Sequence, residues 1–252
     1  MLMQPTIEKL RTLRLTGMIR ALELQLKDPE IQTLSFEDRL GLLVDTEATE
    51  RDSKRLASRL RIAKPKQEAC IEDVKTNPAA GVDRGMLKQL ALCHWLRDHR
   101  NVLLSGKTGV GKTYLACSLI NSACRNGYSA LYFRAQRLFH HAALARADGS
   151  YTKFLTKLSR IDLLVIDDFG HASITDEISR DLLEIIDDRD VRSTVIASQL
   201  PTGQWHQTFT NATIADAILD RIVHRAYKFN LDGESRRKPP GGTSDDGAGV
   251  EF

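Results

Sequence analysis

Through the first hundred residues, apolar positions recur at helical spacing. After residue 100 they gather into short unbroken runs. Leu15, Met18, Leu22 and Leu26 form one helical stripe, and Pro29 stops that helix. Ser35-Phe36-Glu37-Asp38 has the spacing of a capping box, which predicts a long helix after it with Leu40, Leu43, Val44, Leu56 and Leu60 facing inward. Asn77-Pro78 and the stretch Gly81 to Gly85 read as a linker, followed by a helix holding Leu87, Leu90 and Trp95. Farther on, Val102–Ser105, Ala130–Phe133, Leu163–Asp167, Thr194–Ser198 and Tyr227–Leu231 predict five strands with helical stretches between them. Short apolar strands joined by helical crossovers imply a parallel sheet covered on both faces. The expected organisation is an all-helical N-terminal domain over 1–75 and an α/β domain over 76–238. A polar, low-complexity tail over 239–252 (PPGGTSDDGAGVEF) is expected to be disordered.

Composition narrows the class. A chain of 252 residues has room for one sizeable core and a smaller unit, and 27% charged with 42% hydrophobic residues is ordinary for a soluble protein. No apolar run approaches the roughly 18 residues of a membrane span, and the N-terminus lacks a signal-peptide core, so a cytoplasmic protein is expected. Cys70, Cys93, Cys117 and Cys124 form no CxxC pair and read as reduced thiols. His140 and His141 are adjacent and point to different helix faces, so no zinc site is expected. The net charge of +3 does not single out nucleic acid, but its distribution is uneven. Arg51 to Lys66 holds seven basic residues against Asp52, and Arg125 to Arg160 holds seven against Asp148, each run netting +6. Either run is a solvated face or a surface for phosphates or a partner. Tyr151 and Phe154 interleave with the lysines of the second run and are equally readable as core.

The chemistry centres on Gly106-Lys107-Thr108-Gly109-Val110-Gly111-Lys112-Thr113, which fits G-x-x-x-x-G-K-[ST]. A chain this long matches that pattern by chance on the order of 1% of the time. The loop also sits where the motif requires, after an apolar strand and before a helix carrying Leu115, Leu119, Ile120 and Ala123. Its glycines let backbone N–H groups close around phosphate oxygens at a helix N-terminus. In a nucleotide site of this kind Lys112 reaches the β- and γ-phosphates of ATP and the Thr113 hydroxyl ligates Mg²⁺.

Leu163-Leu164-Val165-Ile166-Asp167-Asp168 is an apolar strand ending in two carboxylates, at the end of the strand where such sheets bind ligands. Asp167 is the candidate to hold Mg²⁺ through water, and Asp168 the candidate to orient and polarise the attacking water. Gln199, or Ser198 beside it, ends the next strand and is a candidate contact to the γ-phosphate. Arg221 is a candidate arginine finger for a neighbouring subunit, with an intrahelical ion pair as its plainer reading. One arginine of Gly233-Glu234-Ser235-Arg236-Arg237 is a candidate γ-phosphate sensor in cis.

The phosphate-loop stretch Leu103–Leu115, the run Val165–Gly170, Ala197-Ser198-Gln199-Leu200-Pro201 with Trp205, and Leu231–Ser235 together resemble the IstB family. So does Leu13-Arg14-Leu15-Thr16-Gly17-Met18. IstB-type proteins are transposition helper ATPases of the AAA+ class, related to the DnaC helicase loader. The resemblance runs from about residue 8 to 238. It implies an AAA+ P-loop core with a five-stranded parallel sheet, a homo-oligomer, duplex DNA bound with little sequence preference, and a partner transposase. It gives Lys112 and Thr113 the nucleotide roles, Asp167 and Asp168 the Mg²⁺ and water roles, and Arg221 the trans finger role. Where many related ATPases carry Glu, this chain has Asp168, one methylene shorter, which implies slow basal hydrolysis. Family members often carry Asn in place of Gln199 and Tyr in place of Arg236, which leaves Arg237 as the match to the family arginine.

Other uses of a phosphate loop fit less well. The guanine-reading Asn-Lys-x-Asp of GTPases is absent, and no lid and acceptor pocket of a small-molecule kinase is visible. The alternatives are a helicase loader acting on single-stranded DNA and a binding module that uses ATP only for assembly.

Overall fold

The computed structural model describes residues 3–74 and 83–233, and the chain divides into two compact units, Met1–Lys64 and Pro65–Phe252.

The first unit is helical: α1 (Met3–Thr12), α2 (Thr16–Lys27), α3 (Pro29–Gln32) and α4 (Phe36–Ala63). Ser35 caps α4 as its spacing predicts, accepting from the Asp38 N–H at 3.1 Å. Pro29 stands at the first turn of α3, where its missing N–H costs nothing, with Asp28 as the cap. The apolar stripe is not what α2 buries. Its buried residues are Gly17, Ala21 and Gln25, while Leu26, Leu40 and Val44 are exposed and Leu43, Leu56 and Leu60 only half-buried. The reason is close approach. A Cβ on Gly17 would lie 2.6 Å from the Glu47 Cα, so the helices meet backbone to backbone at Gly17 and leave the leucines at the edges. The Glu47 carboxylate accepts from the N–H groups of Gly17 at 2.7 Å and Met18 at 3.2 Å, taking up two donors at the start of α2.

The second unit begins at Pro65 rather than after residue 75. Residues 65–74 pack with the sheet unit, with Ala69, Ile71 and Val74 buried and Glu72 paired to Arg125 at 2.8 Å. The reading of 77–82 as linker falls outside the described residues. The expected helix through Leu87 and Trp95 is two pieces, α5 (Arg84–Ala91) and α6 (His94–Arg97), broken at Cys93, whose φ is +57°.

All five expected strands form: β1 (Asn101–Ser105), β2 (Ala130–Arg134), β3 (Leu163–Phe169), β4 (Ser193–Ser198) and β5 (Ala226–Asn230). They make one parallel sheet in the order β2-β3-β4-β1-β5. Helix α7 (Lys112–Arg125) follows β1 and lies against β1 through β4. Side chains alternate across the sheet. Leu103, Leu131, Leu164, Ile166 and Ile196 join a core with α8 (Ala135–Ala147), α9 (Tyr151–Arg160), α10 (Asp176–Asp187), α11 (Ala212–Val223) and Trp205. Because every strand is parallel, the C-terminal ends of β1, β3 and β4 come to one edge.

Candidate nucleotide site

The loop after β1 turns sharply because its glycines permit it. Gly106, Gly109 and Gly111 have φ of +141°, +91° and +107°, and a Cβ on Gly106 would lie 2.1 Å from the Leu231 carbonyl oxygen. The loop is thus pinned against the end of β5 and enters α7 at Lys112. The Lys112 ammonium donates to the carbonyls of Gly106 at 2.5 Å and Lys107 at 2.7 Å, and its side chain is largely buried inside the loop.

Asp167 is 1% exposed. One carboxylate oxygen accepts from Thr113 Oγ1 at 2.8 Å and from the Tyr132 hydroxyl at 2.8 Å, and the other accepts from the Asp168 N–H at 2.9 Å. Burial, with the nearby Asp167 charge second, pushes the Tyr132 phenol well above its ordinary range, so it is a fixed donor. Thr113 and Asp167 present hard oxygens to each other, a donor set that suits Mg²⁺. The next residue is set apart by a bulge. The β3–β4 register shifts between Ile166 and Phe169, and Asp168 takes φ of +58°. Its side chain leaves the sheet for solvent, with Arg134 Nε 3.8 Å away. Two neighbouring carboxylates therefore hold different positions, one buried and satisfied, the other projected into the open.

A cleft of about 820 Å³ runs past these groups, lined by Thr108, Gly109, Gly111 to Thr113, Asp168 and Gln199 together with Lys66, Gln67 and Asp73. Gln199 is exposed on its rim. Ser198 is not available to a ligand, because its buried hydroxyl donates to the Phe169 carbonyl at 2.7 Å and accepts from the Leu200 N–H. Sequence reasoning missed Tyr132, Arg134 and residues 66–73. Tyr132 and Arg134 reach the site only through the β2–β3 register, which sets Arg134 opposite Asp167. The 65–67 segment is held partly through Cys117, whose thiol accepts from the N–H groups of Gln67 and Lys66 and is raised in pKa chiefly by burial.

Arg221 is not brought to this cleft. It sits near the start of β1, where Asn101 donates to the carbonyls of Arg221 and Ile222, and β1 separates it from the loop by roughly 13 Å or more. Its partner is not intrahelical: Nε pairs with Asp187 of α10 at 2.5 Å, while Nη1 donates to the Ala217 carbonyl. Arg225 lies in the turn after α11 and has no carboxylate partner among the described residues. Arg236 and Arg237 lie outside the described residues, as does the tail. In the second basic run, Arg146 is paired to Asp181 and Glu184 and stacks on Tyr151, whose hydroxyl donates to the same two acids. Phe154 packs on the core, so the core reading of these two aromatics holds. In the first run, Arg51, Lys54 and Arg55 are paired to Glu47, Glu50 and Asp52. None of the four cysteines is in a disulfide. No metal-binding cluster of His, Cys, Asp and Glu occurs among the described residues, and no helix there is long and apolar enough to cross a membrane.

A family model described as IstB-like ATP binding protein matches residues 8–241. The chain is 44% identical over 239 residues to the insertion sequence ATP-binding protein y4pL of Sinorhizobium fredii, a match covering 94% of this chain and 98% of that one. It is 46% identical over 205 residues to the insertion sequence IS1162 ATP-binding protein of Pseudomonas fluorescens, covering 81% and 89%. Among solved structures, the DnaC helicase loader superposes with a TM-score of 0.56 at 19% identity, covering 65% of this chain and 97% of that one. AMPPCP-bound DnaA from Aquifex aeolicus superposes with a TM-score of 0.54 at 19% identity, covering 67% and 52%. At that identity the likeness is one of fold.

Proposed function

The chain belongs to the family of IstB-like ATP-binding proteins and has an AAA+ P-loop core, and from that premise we propose that it is a cytoplasmic ATPase that assembles on duplex DNA and stimulates a partner transposase. The match to insertion sequence proteins over nearly the full length of both chains carries this reading. The site supports the chemistry. Gly106 to Thr113 cradles the phosphates and Lys112 turns from its loop carbonyls to the β- and γ-oxygens. Thr113 and Asp167 would hold Mg²⁺, which would supply charge neutralisation at the phosphates. Asp168, projected by the bulge, orients the attacking water, and Gln199 on the rim contacts it or the γ-phosphate. Arg237 is the cis arginine of the reading.

Arg221 completes the site of a neighbouring subunit. Its place at the opposite end of β1 from its own loop supports a role in trans, since a homo-oligomer can bring that end to a partner's cleft. Reaching a phosphate requires release from Asp187, so turnover depends on assembly, and DNA favours assembly by aligning protomers. The basic runs over 51–66 and 125–160 supply sequence-independent phosphate contacts. The fold shared with the DnaC helicase loader favours one alternative, loading of a helicase on single-stranded DNA.

The test is Asp168→Asn, which keeps shape and removes the charge that polarises water. ATP affinity is expected to stay near the parent value while turnover falls about 10²-fold or more, trapping an ATP-bound oligomer on duplex DNA. Parent-like turnover would move the water-activating role elsewhere. Trapping on single strands in preference to duplex would favour the loader.

A further inference from the structure

Asp168 and Gln199 line both the nucleotide cleft and a second chamber of about 600 Å³, whose other walls are Arg134, Gln136, Arg137, His140 and His171. Four of those five carry a cationic or protonatable nitrogen, and Asp168 is the one carboxylate residue among the described lining. Arg134 ends β2, and Arg137 and His140 follow at three-residue steps along α8, so one helix edge turns all three toward the chamber. In the same basic run, Arg125 and Arg146 are held by Glu72 and Asp181. Arg137 has no carboxylate partner among the described residues. Two guanidiniums lining one chamber repel, and a bound anion removes that cost. Their planar forks match the oxygens of a phosphate group.

We propose that Arg134, Arg137, His140 and His171 form a second phosphate-binding site, separate from the phosphate loop and sharing Asp168 as a wall. Its ligand is a phosphate group, either a diester of the DNA backbone or the inorganic phosphate that hydrolysis releases next to it. Arg134 belongs to both neighbours: a phosphate seated between Arg134 and Arg137 competes with Asp168 for the guanidinium. The inference rests on the nucleotide reading of the adjoining cleft.

The experiment uses the full chain saturated with a non-hydrolysable ATP analogue, which fills the phosphate positions of the cleft. Inorganic phosphate is then titrated by calorimetry into the parent and into the Arg137→Gln/His140→Gln variant, both side chains being exposed and outside the catalytic machinery. Binding is expected on the order of 1 mM in the parent, weakened about tenfold or more in the variant. Equal affinity in the two proteins, or no binding in the parent, overturns the site. If the analogue itself fails to bind, the nucleotide reading falls, while the difference between parent and variant still decides the second site. A short duplex that displaces phosphate from the parent identifies the diester as the ligand. A duplex that leaves phosphate bound identifies the free ion, and the variant then shows weaker inhibition of turnover by added phosphate.

Discussion

The sheet unit and the helical unit use their apolar residues in opposite ways. In the sheet, Leu104, Leu164, Val165, Ile166 and Val195 are fully buried between layers of helices. In the helical unit, Leu24, Phe36, Leu40 and Val44 stay 44% to 73% exposed, and the contact between α2 and α4 runs through Gly17, Ala21, Gln25 and Glu47. A two-helix contact has no second layer to cover its flanks, so close backbone approach and satisfied polar groups take the place of volume. Gln25 donates to the Arg39 carbonyl at 2.8 Å, Thr16 donates to Glu50 at 2.8 Å, and Glu50 also pairs with Arg20 and Lys54. Hydrophobic burial is indifferent to pH, whereas the contacts of Glu47 and Glu50 are charged. The two units should therefore differ in what destabilises them.

The same substitution in both units gives the sharpest contrast, and its larger half comes first. Leu104→Ala, in the centre of the sheet, should cost about 2–5 kcal/mol of unfolding free energy by denaturant titration. A smaller cost would mean that the sheet refills the space. Next is Gly17→Ala, which drives a methyl group into the backbone of α4. A loss of about 1–3 kcal/mol is expected, seen as faster hydrogen exchange confined to α2 and α4. Unchanged exchange there would break the account of close approach.

Acid comes third. For Glu47, burial alone would raise the carboxyl, but the Arg51 guanidinium and the N–H groups of Met18 and Gly17 outweigh it and hold the pKa below the ordinary 4.5. Glu50 is lowered by Lys54 first and Thr16 next. A depressed carboxylate pKa contributes stability that is complete above the unfolded value and lost as pH falls through the folded one. Exchange in α2 and α4 should therefore rise below about pH 4.5 while the sheet stays protected. In Glu47→Gln it should already be raised at neutral pH, with a flatter acid response. The smallest effect is the other half of the pair: Leu40→Ala should cost under about 1 kcal/mol. A cost equal to that of Leu104→Ala would show that Leu40 is covered in the assembled protein.

Local rules made much of the molecule readable in advance. The apolar runs placed all five strands to within a residue or two, because a strand buried on both faces can hold little else. The spacing of glycines, Lys112 and Thr113 placed the phosphate loop, since glycines at positive φ let a strand turn sharply into a helix N-terminus that favours an anion. The adjacent acids of Asp167-Asp168 placed the carboxylates at the strand end. Ser35 announced its helix through its own cap.

Other features depend on residues far apart in the chain. That Asp167 is buried and Asp168 projected follows from a bulge against β4, and adjacency alone cannot assign it. Tyr132 and Arg134 reach the two acids through the pairing of β2 with β3. Residues 65–74 join the sheet unit because they pack on it, although their composition continues that of the helices before them. The stripe of α2 failed to mark its contact face because the approach of α4 at Gly17 decides which side is buried. The sequence by itself determined the five strands, the cap of α4 and the loop, because each is set by the conformational preferences of neighbouring residues. The tertiary structure decided which side chains share the site, because register and close approach are set by contacts between distant segments.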